Sequence, residues 1–239
     1  METLHLRYLR IMLGALCFMF CSCHDQVGKK ASSGEDTHNY VDLGLPSGTL
    51  WATCNIGASS PEEYGDYFAW GETKGYNSGK NIFTFASYKW CKGYKNALTK
   101  YCSNGAYGYK RFTDNKTELE LKDDAAYVNW GPDWRMPSIE QIEELIDSAY
   151  TNKEWVLLNG VEGYKITSKK NGNSIFLPAS GFHYNDALYK EGSGGYIWSR
   201  TLFSSCPYLV RNLGFVSGNL RTYFYRYYGL SVRPVRSSE

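Results

Sequence analysis

Hydrophobic and aromatic residues occur along most of the chain in short runs that glycine, proline and asparagine interrupt. Examples are "GTLWATCNIG", "GYKITS", "SIFLPASG" and "GLSVRPV". Runs of this length, bounded by turn residues, are typical of β-strands joined by tight turns. The pattern predicts a strand-rich α+β domain with few helices, and because no internal repeat interrupts it, we expect a single domain.

One segment has helical periodicity instead. Ser138 is followed three residues later by Gln141, which is a capping-box pattern, and apolar residues then recur on one face as far as Ala149. This spacing predicts a helix over residues 139–149.

Two weaker helices are predicted before it. Pro61 stands at a suitable first helical position behind Ser60. Asp123 and Asp124 precede "AAYVNW", where acidic side chains favour the start of a helix. The alternative for these two carboxylates is an acid/base or calcium site.

The N-terminus has the features of an export signal. Arg7 and Arg10 precede an apolar run over residues 11–20, which is too short for the roughly 20 helical residues that a bilayer core requires. The following "FCSCHDQ" resembles the bacterial lipoprotein box, in which cleavage leaves a cysteine for acylation. We expect residues 1–22 to be a lipoprotein signal peptide and Cys23 to be lipidated, with Cys21 or plain secretion as alternatives.

Several acyl chains would anchor the protein stably, so the expected location is the bacterial outer membrane or cell surface, with the membrane as a partner. Residues 23–38 are polar and contain Gly and Ser, which predicts a flexible tether. The folded domain is expected over residues 39–237.

Composition limits the function classes. With 43% hydrophobic and 16% aromatic residues the chain can bury a full core, which excludes an intrinsically disordered protein. A formal net charge of +2 is too small for a nucleic-acid-binding surface. We therefore expect no nucleic-acid partner.

The cysteines give one further expectation. In an oxidising compartment Cys91 and Cys102 are close enough in sequence to form a disulfide, while the pairing of Cys54 and Cys206 stays open. The paired CxxC spacing of a zinc site does not occur, so no metal site is expected.

Four ordered blocks of the chain are "YVDLGLPSGTLWATCNIGASSPEEYGDYFAWGET", "DDAAYVNWGPDWRMPS", "NGNSIFLPASG" and "GLSVRPVR". Together they resemble the Fibrobacter succinogenes major paralogous domain, a family of Bacteroidetes lipoproteins and surface proteins. The resemblance implies a C-type lectin-like fold related to formylglycine-generating enzymes, and it covers nearly all of the chain after the expected signal segment.

The same resemblance does not imply catalysis. The cysteine or histidine sets of formylglycine-generating enzymes and their sulfur-oxidising relatives have no counterpart here, and the EPN and WND signatures of calcium-dependent lectins are missing. His183 is the single histidine inside the expected domain, and it is interpreted as a polar surface residue. We therefore expect no enzyme, no catalytic residue and no cofactor.

The C-terminal part has an unusual composition. Residues 199–236 contain no Lys, Glu, Gln, Met or Trp, although the chain has 4 Met and 7 Trp. Mutation of the adenines of asparagine codons cannot produce those five residues. Diversity-generating retroelements mutate adenines in this way. Their target proteins resemble this chain, because they carry the variable segment at the end of a C-type lectin-like domain. The alternative is that the five residue types are absent from this segment by chance.

The same segment is rich in tyrosine and arginine, and these residues are typical of recognition surfaces. We therefore predict a ligand-binding face for an unknown protein or carbohydrate. Six arginines and no acid within the segment favour a positive surface and an anionic or carbohydrate-rich ligand. Rival functions are a structural or tip subunit of a surface fibre and, less favoured, an enzyme. The predicted face comprises Arg200, Phe203, Tyr208, Arg211, Leu220, Arg221, Tyr223 and Tyr225.

Overall fold

The computed structural model describes residues 38–216 and 219–237, without the side chains of residues 219–222. Residues 1–37, which include the expected signal peptide, Cys23 and most of the expected tether, lie outside the described residues. The described part is a strand-rich α+β domain of small antiparallel sheets. Its strands are β1 Tyr40–Asp42, β2 Thr49–Ala52, β3 Thr151–Leu158, β4 Val161–Ser168, β5 Ser174–Pro178, β6 Phe182–Tyr184, β7 Ala187–Tyr189, β8 Gly194–Leu202, β9 Leu209–Val216, β10 Asn219–Tyr225 and β11 Val235–Ser237.

The strands form four sheets. Three sheets have three strands each, in the orders β1-β2-β11, β10-β9-β8 and β3-β4-β5, while β6 and β7 form a hairpin. All pairings within these sheets are antiparallel. The last strand therefore completes a sheet that the first two strands begin.

The helices are short. They are α1 Ala125–Trp130, α2 Ile139–Ile146 and the 3-10 turns Tyr109–Arg111 and Leu121–Asp123. Ser138 and Gln141 form the predicted capping box at the start of α2. The helix ends three residues earlier than expected, because the chain turns at Asp147 to enter β3.

The weaker helix predictions had different outcomes. Asp124 caps α1 by accepting hydrogen bonds from the backbone N–H groups of Ala126 and Tyr127, so its predicted helix-terminal role is confirmed. The helix predicted at Pro61 is wrong. This stretch is a turn, because Gly65 follows at a φ of 74°, in the left-handed region, before a second helical turn is complete.

The C-terminal segment passes through the middle of the domain. Every residue from 229 to 235 is buried, not only alternate ones as a simple terminal strand would have. Leu230 exchanges two backbone hydrogen bonds with Phe68, and Gly229 exchanges two with His183. The segment thereby joins parts of the chain that share no sheet.

Candidate ligand-binding face

Two tyrosines project outward from the edge strand β10. Tyr223 and Tyr225 are 51% and 38% exposed, as the sequence predicted. Phe224, between them, points to the opposite side, because successive side chains of a strand alternate. It packs inward, with its ring centroid 5.0 Å from that of Tyr196 and 5.0 Å from that of Phe182.

Each exposed tyrosine lies against an aromatic ring from the loop between β8 and β9. Tyr223 stacks on Phe203 with ring centroids 5.3 Å apart, and Tyr225 stacks on Tyr208 with centroids 5.9 Å apart. The structure thus brings together four of the predicted residues. Aromatic pairs in this distance range are favourable beyond the area that they bury.

Two further rings, from a different part of the chain, extend this surface. The centroid of Tyr107 lies 5.0 Å from that of Tyr208, and the centroid of Phe85 lies 6.1 Å from that of Tyr225. Sequence reasoning missed both residues, because neither belongs to a motif or to the unusual C-terminal segment. The aromatic face is defined here as Phe85, Tyr107, Phe203, Tyr208, Tyr223 and Tyr225.

A buried arginine holds the base of the aromatic face. Arg226 is fully buried and has no carboxylate partner within residues 38–216 and 219–237. Its guanidinium donates instead to the Tyr88 hydroxyl and to backbone carbonyls at residues 100, 101 and 207, with donor–acceptor distances of 2.8–3.2 Å. One of these carbonyls belongs to Pro207, the residue before Tyr208. The Arg226 side chain therefore connects β10 to the loop that carries Tyr208, the ring that stacks on Tyr225.

Arg200 and Arg211 are not part of the aromatic face. Arg200 Nε bonds Glu118 Oε2 at 3.1 Å, and its Nη1 donates to the Met136 carbonyl. Arg211 Nη2 lies 3.6 Å from Glu143 of α2. Both arginines thus interact with acidic side chains beside the strands.

These two arginines also affect Glu140 at the start of α2. A hydrogen bond from its own backbone N–H is the main reason why the pKa of Glu140 is lowered. Ser138 and then the charges of Arg200 and Arg211 lower it further. The two cations therefore stabilise the acidic first turn of a helix.

Most of the arginines expected to make this surface positive are buried or lie beside acids, although Lys95 Nζ lies 5.6 Å from the ring centroid of Tyr208. Arg226 and Arg233 are fully buried, and Arg233 donates to the Asn55 side chain and to the carbonyls of Ala52 and Phe176. Besides Arg200 and Arg211, Arg236 also has a carboxylate neighbour, Asp133, at 3.3 Å. The side chain of Arg221 lies outside the described residues, as does that of Leu220.

The phenols of the face act as neutral hydrogen-bonding groups. A hydrogen bond with Cys206 is the main reason why the pKa of Tyr208 is raised, and burial adds to the effect. Burial likewise raises the pKa of Tyr228, which adjoins Tyr225 at a centroid distance of 5.7 Å. At neutral pH these groups remain protonated, so they can donate hydrogen bonds to a ligand.

His183 is buried, so the expectation of a surface residue is wrong. Its ring stacks on Tyr76 with centroids 4.2 Å apart, meets the edge of Tyr67 and lies tilted against Phe83. Nδ1 makes no hydrogen bond with the described residues, and burial lowers the pKa of this imidazole.

The structure has Cys91 and Cys102 as free thiols, and the expected disulfide is not formed. Cys91 Sγ donates to the Tyr94 carbonyl at 3.1 Å, and Cys102 Sγ donates to the Asn104 carbonyl at 3.2 Å. Burial raises the pKa of both thiols, which makes them poor nucleophiles at neutral pH.

The chain matches no protein-family model, and neither a curated protein nor a solved structure is significantly similar to it. Within residues 38–216 and 219–237, no group of three or more His, Cys, Asp or Glu side chains is arranged to hold a metal ion. Among the same residues, no helix has the length and apolar character needed to cross a membrane.

Proposed function

We propose that the protein is a lipid-anchored module of the bacterial outer membrane or cell surface that binds a protein or carbohydrate ligand on its aromatic face. The observation that carries this proposal is the pair of exposed tyrosines, Tyr223 and Tyr225, each stacked on a second ring. Tyrosine offers a large and rigid contact area at a low cost in side-chain entropy. A few such rings can supply most of the binding energy of an interface.

The arrangement beneath these rings supports the same proposal. Arg226 fixes the end of β10 to the loop that precedes Tyr208, so the rings of the face are ordered before a ligand arrives. Pre-organisation reduces the entropy that binding must overcome. Since Arg226 is buried and Arg200 and Arg211 lie near acids, the proposed ligand is recognised mainly by ring contacts and neutral phenols, with Lys95 beside Tyr208 as a nearby cation.

The family resemblance supports the fold and location in this proposal. In it, the described α+β domain is C-type lectin-like and Cys23 carries the acyl chains. Metabolic labelling with a fatty-acid analogue tests the anchor: Cys23→Ala should abolish labelling, whereas Cys21→Ala should retain it. Unchanged labelling of Cys23→Ala would contradict the anchor.

We include diversification of the C-terminal segment in the proposal. Phe203, Tyr208, Tyr223 and Tyr225 have partly exposed side chains, while Arg226 is internal, and this division is what a fixed scaffold with a variable surface requires. Sequencing of the surrounding DNA tests it. A near-copy of the codons for residues 196–236, with adenines at the surface positions, should lie beside a reverse transcriptase gene.

Binding itself is tested on an array of defined oligosaccharides and extracellular proteins. We expect saturable binding by the wild-type protein and at least a tenfold weaker affinity for the double variant Tyr223→Ala/Tyr225→Ala. The matched control is Tyr94→Ala/Tyr150→Ala, which removes two exposed tyrosines outside the aromatic face. Equal binding by the two double variants would rule out the face as the site.

A further inference from the structure

A polar cleft lies apart from the aromatic rings, between the turn that precedes α2 and the last strand. Its volume is about 550 Å³, which is within the range of sites for small molecules. Three guanidinium groups and three carboxylates line it, so the cleft carries no formal net charge. They belong to Arg135, Arg200, Arg236, Glu118, Asp124 and Asp133.

Two of the three arginines are already paired. Arg200 Nε bonds Glu118 at 3.1 Å, and Arg236 Nη2 lies 3.3 Å from Asp133. Asp124 is also committed, since it accepts backbone hydrogen bonds from the start of α1 and from Met136. These paired and hydrogen-bonded groups form one polar wall of the cleft.

Arg135 differs from the other two arginines. Its Nη1 donates to the carbonyls of Pro132 and Trp134, and its guanidinium lies over the ring of Tyr127 at 4.5 Å. Among residues 38–216 and 219–237, no carboxylate lies within 4 Å of it. Nε and Nη2 form no hydrogen bond with the described residues, so this edge of an oriented guanidinium remains available.

A planar guanidinium edge with two donors matches the two oxygens of a carboxylate. The rest of the cleft favours hydroxyl groups, because Glu118 and Asp133 accept hydrogen bonds while Arg200 and Arg236 donate them. A sugar hydroxyl does both at once. Leu121, 47% exposed, provides an apolar contact for the face of a sugar ring.

We propose that this cleft binds an acidic monosaccharide unit, with the carboxylate of the sugar on Arg135 and its hydroxyls on the paired wall. An acylated amino acid fits less well, because it has one amide donor and no set of adjacent hydroxyls for the alternating donors and acceptors. The proposal is independent of the aromatic face.

The probe is D-glucuronic acid, titrated by isothermal calorimetry into the full-length protein in detergent. We expect saturable binding that weakens at least tenfold in Arg135→Gln. Arg111→Gln is the matched control, since it removes an exposed arginine outside the cleft and should leave the affinity unchanged. Absence of saturable binding to the wild-type protein would overturn the proposal, as would equal affinity in a folded Arg135→Gln variant.

A second variant covers the case in which Arg135→Gln disturbs the local turn. Leu121→Trp places a large ring in the cleft from an exposed position and leaves every polar group in place, so it should also weaken binding at least tenfold. Equal binding of the methyl ester of D-glucuronic acid would refute recognition of the carboxylate. Tighter binding of N-acetyl-alanine would refute the sugar in favour of a peptide terminus.

Discussion

Nη1 of Arg226 donates a hydrogen bond to the carbonyl oxygen of Pro207, at a distance of 3.0 Å. The backbone N–H of the same arginine donates to the carbonyl of Tyr208 at 3.2 Å. Two hydrogen bonds therefore join the end of β10 to the loop before β9. Two stacked rings, Tyr208 and Tyr225, stand on these two segments.

Arg226→Lys should destabilise the protein strongly. Lysine keeps the charge but cannot reach the three carbonyls and the Tyr88 hydroxyl together, and hydrogen bonds of charged groups contribute about 1.5–3 kcal/mol each. We expect the free energy of unfolding to fall by about 3 kcal/mol, as measured by urea denaturation. Arg111→Lys, at an exposed position, should change it by less than about 0.5 kcal/mol. Similar values for the two variants would contradict a structural role for Arg226.

A second prediction concerns Lys100, whose Nζ contacts both Asp123 and Glu120. Asp123 is buried, so Lys100→Met would remove its nearest counterion and leave only the half-exposed Lys89, whose Nζ lies 3.7 Å away, at a cost of about 3 kcal/mol. Lys122 provides the control, since its Nζ lies 3.5 Å from the same Glu120 but its side chain is 74% exposed. Lys122→Met should cost at most about 1 kcal/mol in the same denaturation assay. Equal effects of the two variants would contradict a stabilising role for the buried ion pair.

The stability of the protein should decrease as the pH falls below 6.5. Burial lowers the pKa of His183 below its usual value of 6.5, and the charge of Asp66 opposes this only in part. At pH values between the folded and the unfolded pKa of His183, the imidazole is therefore protonated in the unfolded chain and neutral in the folded chain. The free energy of unfolding therefore has its full value above pH 6.5 and decreases as the pH falls towards the folded pKa of His183.

Thermal unfolding between pH 5 and pH 7.5 checks this. His183→Leu should reduce the slope of the midpoint against pH. An unchanged slope in His183→Leu would assign the pH dependence to other groups.

The outward tyrosines should be nearly dispensable for stability. Tyr223→Ala and Tyr225→Ala remove rings that are only partly buried, at 51% and 38% exposure, so each should lower the free energy of unfolding by about 1 kcal/mol. Phe215→Ala, in the core beneath the same sheet, should cost about 3–5 kcal/mol. If the two tyrosine variants unfold like Phe215→Ala, the rings belong to the core and the proposed function fails.

Local chemistry made several features predictable from the sequence. The capping box at Ser138 and the cap at Asp124 depend on residues within a few positions of each other, and both form. The alternation of side chains along a strand similarly placed Tyr223 and Tyr225 in solvent.

The remaining features depend on partners distant in sequence. Arg233 reaches the carbonyl of Ala52, 181 residues away, so its burial follows from assembled backbone oxygens that no local pattern reveals. Arg200 and Arg211 looked like surface cations, yet Glu118 and Glu143 lie beside them. Tyr107 reaches the aromatic face through a loop whose path the sequence does not indicate.

The pairing of β11 with β2 has a consequence for the order in which the domain is made. Residues 229–235 lie in the middle of the domain, and Arg233 lies between Ala52 and Phe176. The core therefore cannot pack until these residues have been synthesised. Synthesis from the N-terminus therefore produces β2 long before its partner exists. A nascent chain of this protein cannot pair β2 with β11 until residues 235–237 have been translated.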